Sequence, residues 1–270
     1  LAALLLTLFL VPLGAFVRLS DAGLGCPDWP GCYGHISPHH AGEQIAAALA
    51  ERPDGPVSHA KAWKEMIHRY VAGTLGLMVL AIAVLTWLGR TRATTGPGLP
   101  SALLALVVVQ ALLGMWTVTE LLKPLVVTSH LLGGMGTLAL LLWLWLRVSG
   151  HERETLSGQM PAARIGLALV VCQIALGGWV STNYAALACS DFPTCHGDWL
   201  PEMDFRHGFT LVRELGYTAV GDLLPLPALT AIHWAHRLGA LVVALYLGWL
   251  VARLWRGEYA VYARVIAGLL

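Results

Sequence analysis

Three histidines lie inside strongly apolar segments of this sequence: His68, His130 and His236. An ionisable side chain inside a membrane-spanning helix is costly and usually marks a functional position. Each histidine lies near the beginning of its apolar segment, and the alternating direction of the segments predicts a similar depth for all three. Two imidazoles at one level on facing helices can bind a flat metal macrocycle from both sides. The pattern therefore favours metal ligation over three separate hydrogen bonds between helices.

Charged residues accompany two of these histidines. Glu65 precedes His68 by three positions and is predicted to share its helix face. A carboxylate there can orient an imidazole or move protons, although an interfacial charge would explain it equally well. Arg69 and Arg237 directly follow His68 and His236. They are candidates to bind anionic propionates of a macrocycle, or else to reach the lipid headgroups.

Four of the five cysteines form two pairs with the same spacing, Cys26 with Cys32 and Cys189 with Cys195. Both pairs lie in polar segments that are predicted to face the oxidising side of a membrane, which favours one disulfide in each. A plain structural staple and a redox-active pair remain open at this point. A zinc site is disfavoured because CxxC spacing is absent. Cys172, inside an apolar segment, is predicted to be buried.

The composition is typical of an integral membrane protein. Hydrophobic residues make up 57% of the 270 residues and charged residues 12%, and the mean hydropathy is +0.66. A soluble domain carries about 25% charged residues. The formal net charge of +1 gives no indication of a nucleic-acid partner. The sequence therefore predicts an all-α protein that spans the membrane several times.

Apolar segments and positive charges together predict the topology. About 20 apolar residues span the hydrocarbon core, and a seventh such segment begins near Val261, after six earlier ones: 1–17, 66–89, 100–119, 125–146, 165–183 and 230–252. Most arginines lie in the connectors after residues 89, 146 and 252, which should face the cytoplasm: Arg90, Arg92, Arg147, Arg153, Arg164, Arg253, Arg256 and Arg264. The segments 18–65 and 184–229 are then external.

The chain contains an internal repeat. Shifted by 163 positions, residues 14–34 match residues 177–197 without a gap, and nine of 21 positions are identical. The identical positions include both cysteines of each pair. His68-Arg69 and His236-Arg237 follow at corresponding places, and His233 takes the place of Glu65. The repeat predicts two four-helix bundles, residues 1–150 and 151–270, with eight membrane helices expected and about six and a half present.

In these motifs the sequence resembles the haem A synthases, over nearly the whole chain. The resemblance rests on the loop of residues 14–32, on Glu65-Met-Ile-His68-Arg69, on Ser129-His130-Leu and on His236-Arg237. It implies oxidation of the C8 methyl of haem O to a formyl group, giving haem A for terminal oxidases. It further implies a multi-pass protein of the inner (cytoplasmic) membrane, with its cysteine loops on the outer face.

The resemblance also implies roles for individual residues. His68 and His130 would bind the iron of the substrate haem O, and His236 would bind a resident haem b together with a histidine expected on the eighth helix. Cys26 and Cys32 would be the functionally important pair, and Glu65 would lie near the substrate iron. Implied partners are a haem O synthase, the terminal oxidase assembly machinery and membrane lipid, and a homo-oligomer is possible.

Two other functions remain open on the sequence alone. A b-type cytochrome that transfers electrons across the membrane or from a quinone would also use paired histidines. A membrane thiol-disulfide oxidoreductase would explain the cysteines but leave the histidines unexplained.

Overall fold

The computed structural model describes residues 1–53, 55–89, 96–150, 159–255 and 259–269. Within these ranges the chain forms nine α-helices and one 3-10 turn, Ala185–Leu187. The helices are α1 (Ala2–Leu19), α2 (Gly42–Glu51), α3 (His59–Trp87), α4 (Gly98–Thr119), α5 (Pro124–Val148), α6 (Met160–Thr182), α7 (Phe205–Gly208), α8 (Leu226–Leu254) and α9 (Ala260–Leu269).

Six of the described helices are long and apolar enough to cross a membrane: α1, α3, α4, α5, α6 and α8. The predicted all-α, multi-pass architecture is therefore confirmed. Some of the arginines that predict the orientation lie outside the described residues: Arg90, Arg92, Arg153 and Arg256.

Two helices begin well before their apolar segments. α3 starts at His59, where the Ser58 hydroxyl accepts a hydrogen bond from the Lys61 amide at 3.3 Å. This is an ordinary N-terminal cap, and it starts the helix in polar sequence that hydropathy alone does not detect. α8 starts at Leu226, with Pro227 in its first turn. His68 and His236 consequently lie about two to three turns from the first residues of their helices, while their places within the apolar segments are as predicted.

The chain divides into two compact units, Leu1–His151 and Glu152–Leu270. In unit 1, α1 packs against α3 and α5, and α4 packs against the same two helices. This arrangement is a four-helix bundle in which α3 and α5 lie diagonally opposite each other. Its core is aliphatic and includes the fully buried Val79 and Leu103.

Unit 2 is organised around α8, which packs against α6, α9 and the short α7. At one end of α8, Leu250 and Leu254 pack with Ala263 of α9. Nearer its other end, Ile232 packs with Trp179 and Val180 of α6. Cys172 is exposed on α6, contrary to the prediction of burial. A small apolar side chain need not be buried in protein when the solvent of a helix is lipid.

Candidate functional site

The cysteine loop of unit 1 is attached to α3 through Arg69. Cys26 and Cys32 form the predicted disulfide, with an S–S distance of 2.09 Å. The Arg69 guanidinium donates hydrogen bonds to the carbonyl oxygens of Asp28 (2.8 Å) and Gly31 (2.6 Å), both inside the disulfide loop. Arg69, the residue next to His68, thus binds the backbone of the loop directly.

Glu65 completes this attachment. One oxygen of its carboxylate accepts a hydrogen bond from the backbone amide of Cys26 at 2.9 Å, and the other forms an ion pair with Arg69 at 2.5 Å. Glu65 is only 4% exposed. A buried carboxylate that accepts charge-assisted hydrogen bonds on both oxygens is a strong anchor. We call Glu65, Arg69 and the loop groups they bind the loop anchor of unit 1.

Unit 2 contains an equivalent loop anchor with a different central residue. Cys189 and Cys195 form the second predicted disulfide, at 2.07 Å. Arg237 donates to the carbonyl oxygens of Asp191 and Thr194, both at 2.9 Å. His233 replaces Glu65: its Nδ1 lies 3.3 Å from the Cys189 amide nitrogen, and its Nε2 lies 3.1 Å from Nε of Arg237. A neutral imidazole accepts at one of its two nitrogens only, so one of these contacts at a time is a hydrogen bond. The two anchors therefore match contact for contact.

An aspartate organises each disulfide loop from within. The Asp191 carboxylate accepts hydrogen bonds from the Thr194 hydroxyl (2.5 Å) and from the amides of His196 (2.6 Å) and Gly197 (3.0 Å). These bonds, that from Thr194 first, lower the pKa of Asp191 to about 2. Asp28 accepts two equivalent amide hydrogen bonds in the first loop, at 2.6 and 2.7 Å.

His68 and His130 approach the interior of the unit 1 bundle from its two diagonal helices. The Nδ1 atom of each is buried and has no hydrogen-bond partner among the described residues. Two imidazoles with buried, unpaired Nδ1 atoms, on diagonally opposite helices of one bundle, fit the axial ligation of a haem.

A glycine of a neighbouring helix lies against the edge of each candidate ligand. A Cβ atom on Gly14 would lie 2.9 Å from Cε1 of His68, and one on Gly114 would lie 3.4 Å from Cε1 of His130. In unit 2, a Cβ atom on Gly177 would lie 3.2 Å from Cε1 of His236. These glycines provide the room in which the imidazoles sit, which ordinary helix packing would otherwise fill.

The sequence prediction missed three kinds of contact. It did not foresee that the guanidiniums of Arg69 and Arg237 bind loop carbonyl groups, and their binding of propionates stays a prediction. It did not identify His233 as part of a loop anchor, although the repeat placed this residue opposite Glu65. It overlooked Gln173, which hydrogen-bonds His236 at 2.9 Å. A glutamine inside a membrane helix is unusual enough to have been noticed.

Comparison with known proteins identifies the family. The family model described as cytochrome oxidase assembly protein matches residues 1–270. A haem A synthase of Shewanella oneidensis is 42% identical over 257 residues, which cover 93% of this chain and 77% of the relative. A haem A synthase of Bacillus licheniformis is 28% identical over 257 residues, covering 91% of this chain and 77% of the relative. The chain, with its two anchored disulfide loops and its intramembrane histidines, therefore belongs to the cytochrome oxidase assembly protein family.

Proposed function

We propose that this protein is a haem A synthase, a membrane oxidoreductase that converts the C8 methyl group of haem O into the formyl group of haem A. The observation that carries the proposal is the pair His68 and His130, which enter one bundle from diagonal helices with buried, unpaired nitrogens. The 42% identity to a haem A synthase gives the reaction that this pair would serve. The product would supply terminal oxidase assembly.

In this proposal, unit 1 binds the substrate. His68 and His130 hold the iron of haem O from opposite sides and so fix the position of its reacting methyl group. Glu65, one turn from His68, is the carboxylate available to accept or relay protons as that group is oxidised. Arg69 shares its charge between Glu65 and the loop, and it is the cation available to the haem propionates.

Unit 2 holds the resident cofactor in this proposal. His236 ligates a haem b, and Arg237 lies next to it. When bound, the haem supplies one-electron transfer. The protein itself contributes the imidazole, its orientation and the exclusion of water. Cys26 and Cys32 are needed for the reaction at the substrate site of unit 1, whereas Cys189 and Cys195 hold their loop in place. The cysteine loops face outward from the inner membrane, and a haem O synthase delivers the substrate.

Haem analysis tests the ligand assignment. The protein is expressed together with a haem O synthase in cells that lack their own haem A synthase, and extracted haems are identified by chromatography and mass. His68→Ala and His130→Ala should each abolish haem A formation while the protein still inserts. His40→Ala, in the exposed first loop, is the control and should keep full activity. Normal haem A formation by either ligand variant would contradict the assignment, and a protein that bound haem but never formed formylated haem would be a b-type cytochrome.

Paired cysteine variants test the roles of the two loops. Thiol labelling before and after reduction should reveal four additional thiols on reduction of the native protein. The Cys26→Ser/Cys32→Ser variant should lose haem A formation, and the matched Cys189→Ser/Cys195→Ser variant should retain most of it. Equal activities of the two variants would show that the first pair has no special role in the reaction.

A further inference from the structure

Gln173 of α6 holds His236 by two hydrogen bonds. Its Nε2 lies 2.9 Å from Nδ1 of the His236 imidazole and donates to the His236 carbonyl oxygen at 3.1 Å. Its Oε1 is buried and has no hydrogen-bond partner among the described residues. Gly239, three residues after His236, makes room for this amide, because a Cβ atom there would collide with the Gln173 oxygen.

A glutamine also packs against a glycine beside one of the two histidines of unit 1, without a hydrogen bond to the imidazole among the described residues. Gln110 of α4 packs against Gly133, three residues after His130, where a Cβ atom would collide with its amide nitrogen. That nitrogen and the Nδ1 of His130 are both buried and unpaired in the described part of the chain. His68 has no such neighbour, since the internal repeat places Leu10 where unit 2 has Gln173. A glutamine and a glycine thus accompany His130 and His236 specifically.

The chemistry of ligation explains why an amide would be kept at this position. An imidazole that binds iron through Nε2 carries its proton on Nδ1 and donates it to a carbonyl, carboxylate or water. That hydrogen bond orients the ring and increases its basicity as a ligand. Gln173 is the side chain that hydrogen-bonds the imidazole of His236 in the described structure. A polar group kept inside a membrane helix indicates that it is used.

We infer that Gln173 is a positioning residue for His236. The amide oxygen of Gln173 accepts the Nδ1 proton of His236 when Nε2 of His236 binds haem iron. The inference rests on the proposed function of unit 2. In the present orientation the amide nitrogen faces Nδ1. Rotation about the last side-chain bond gives up the bond to the His236 carbonyl group and brings the unpaired Oε1 to the imidazole. The amide orientation then depends on whether the imidazole holds iron.

Substitutions at Gln173 test this role on the purified full chain with the haem it retains. Gln173→Leu removes the acceptor, and we expect haem affinity to fall about 10–100-fold, with a smaller fraction of low-spin haem. Gln173→Glu keeps the size and supplies a stronger acceptor. It should retain low-spin haem and shift the midpoint potential to more negative values, because a more basic imidazole favours ferric iron. Gln159→Leu, at the beginning of the same helix, is the matched control.

The readouts are the haem-to-protein ratio, the absorption and electron paramagnetic resonance spectra, and the midpoint potential. Retention of haem in Gln173→Glu together with its loss in Gln173→Leu would support positioning, because a merely space-filling role would not distinguish an acceptor from a methyl group. If Gln173→Leu matched the control in all three readouts, the inference would be wrong. His236→Ala is measured in parallel. Unchanged haem content and spectra in that variant would overturn the ligand assignment itself, whereas haem loss in His236→Ala alone would overturn only the role of Gln173.

Discussion

The two loop anchors make the same contacts with different chemistry. In unit 1 the Cys26 amide and Arg69 meet a carboxylate, Glu65, and in unit 2 the Cys189 amide and Arg237 meet an imidazole, His233. Removing one partner of a buried ion pair lowers the free energy of unfolding strongly, whereas removing a hydrogen bond to an imidazole lowers it less. The comparison indicates that the attachment of the loop is general and that the charge is particular to unit 1.

The two loops also differ at the residue that precedes the first cysteine. A Cβ atom on Gly25 would lie 2.6 Å from the backbone of Lys61, so only glycine lets the loop touch α3 there. The equivalent residue in unit 2 is Ala188. The loop of unit 1 therefore touches the helix that carries His68 at a place where an alanine would not fit.

The largest expected effect comes from removing the arginines. Arg69→Ala leaves the Glu65 carboxylate buried without its cation, and we expect a loss of about 3–5 kcal/mol of unfolding free energy. Arg237→Ala removes hydrogen bonds from uncharged acceptors, with an expected loss of about 1–3 kcal/mol. Thermal unfolding of the detergent-solubilised variants, followed by tryptophan fluorescence, measures both. Equal destabilisation would show that the charge of Glu65 contributes nothing particular.

Neutralising Glu65 separates its contribution to the loop anchor from its proposed role in the reaction. Glu65→Gln keeps the size but leaves Arg69 without a charged partner, and we expect a loss of about 1–3 kcal/mol. Haem A formation should slow more than haem binding weakens, because the variant cannot accept a proton at this position. His233→Gln is the matched control in unit 2 and should lower the unfolding free energy and the rate of haem A formation less. If Glu65→Gln made the loop more susceptible to proteolysis but left the rate of haem A formation unchanged, the role of Glu65 would be confined to the loop anchor.

Filling the glycine pockets should have a graded effect. Gly14→Ala forces the His68 ring to move, because the new Cβ would lie 2.9 Å from Cε1, whereas Gly114→Ala meets His130 at 3.4 Å. Overpacking of the first kind destabilises by about 1–3 kcal/mol. We expect a larger change in the bound-haem absorption spectrum for Gly14→Ala than for Gly114→Ala. The reverse order would show that the His68 pocket adapts more readily than its geometry suggests.

The smallest effect that we expect is a loss of stability of the second disulfide loop at low pH. The pKa of Asp191 lies at about 2, below its ordinary value of 3.8, chiefly because of the hydrogen bond from Thr194. The stabilisation from its ionised form is therefore present above about pH 4 and disappears as the pH falls towards 2. Proteolysis of the second loop by pepsin should accelerate over this interval, and Asp191→Asn should flatten the dependence. An unchanged pH profile in the variant would place the acid-labile group elsewhere.

Much of this architecture follows from the sequence. The six membrane helices, the two disulfides and the correspondence of Glu65 with His233 all follow from hydropathy, spacing and the internal repeat. The early start of α3 at His59 does not, because a polar turn capped by Ser58 carries no hydropathy signal. α2 was missed for a related reason: its Ile45, which packs on the Cys26–Cys32 disulfide, is the one buried residue of a short, alanine-rich helix.

Other contacts have no signature in residue types. Arg69 and Arg237 bind backbone carbonyl groups, and every residue carries one, so no sequence pattern identifies which carbonyl is chosen. The glycines at 14, 114 and 177 lie against histidines of other helices, and their spacing along the chain says nothing about this contact. Such pairings depend on how helices pack, which only the three-dimensional structure provides.

The matching anchors have a consequence for how the two halves have diverged. The cysteine motifs are related by a shift of 163 residues, whereas Glu65 and His233 are related by a shift of 168, so five residues were gained or lost between them. Because the anchor fixes only the two ends of the segment between the disulfide and the histidine helix, this segment was free to change in length and content, to the helix α2 in one copy and to the single helical turn α7 in the other. The feature that both copies retain is the attachment of the disulfide loop to the helix that carries the candidate ligand histidine.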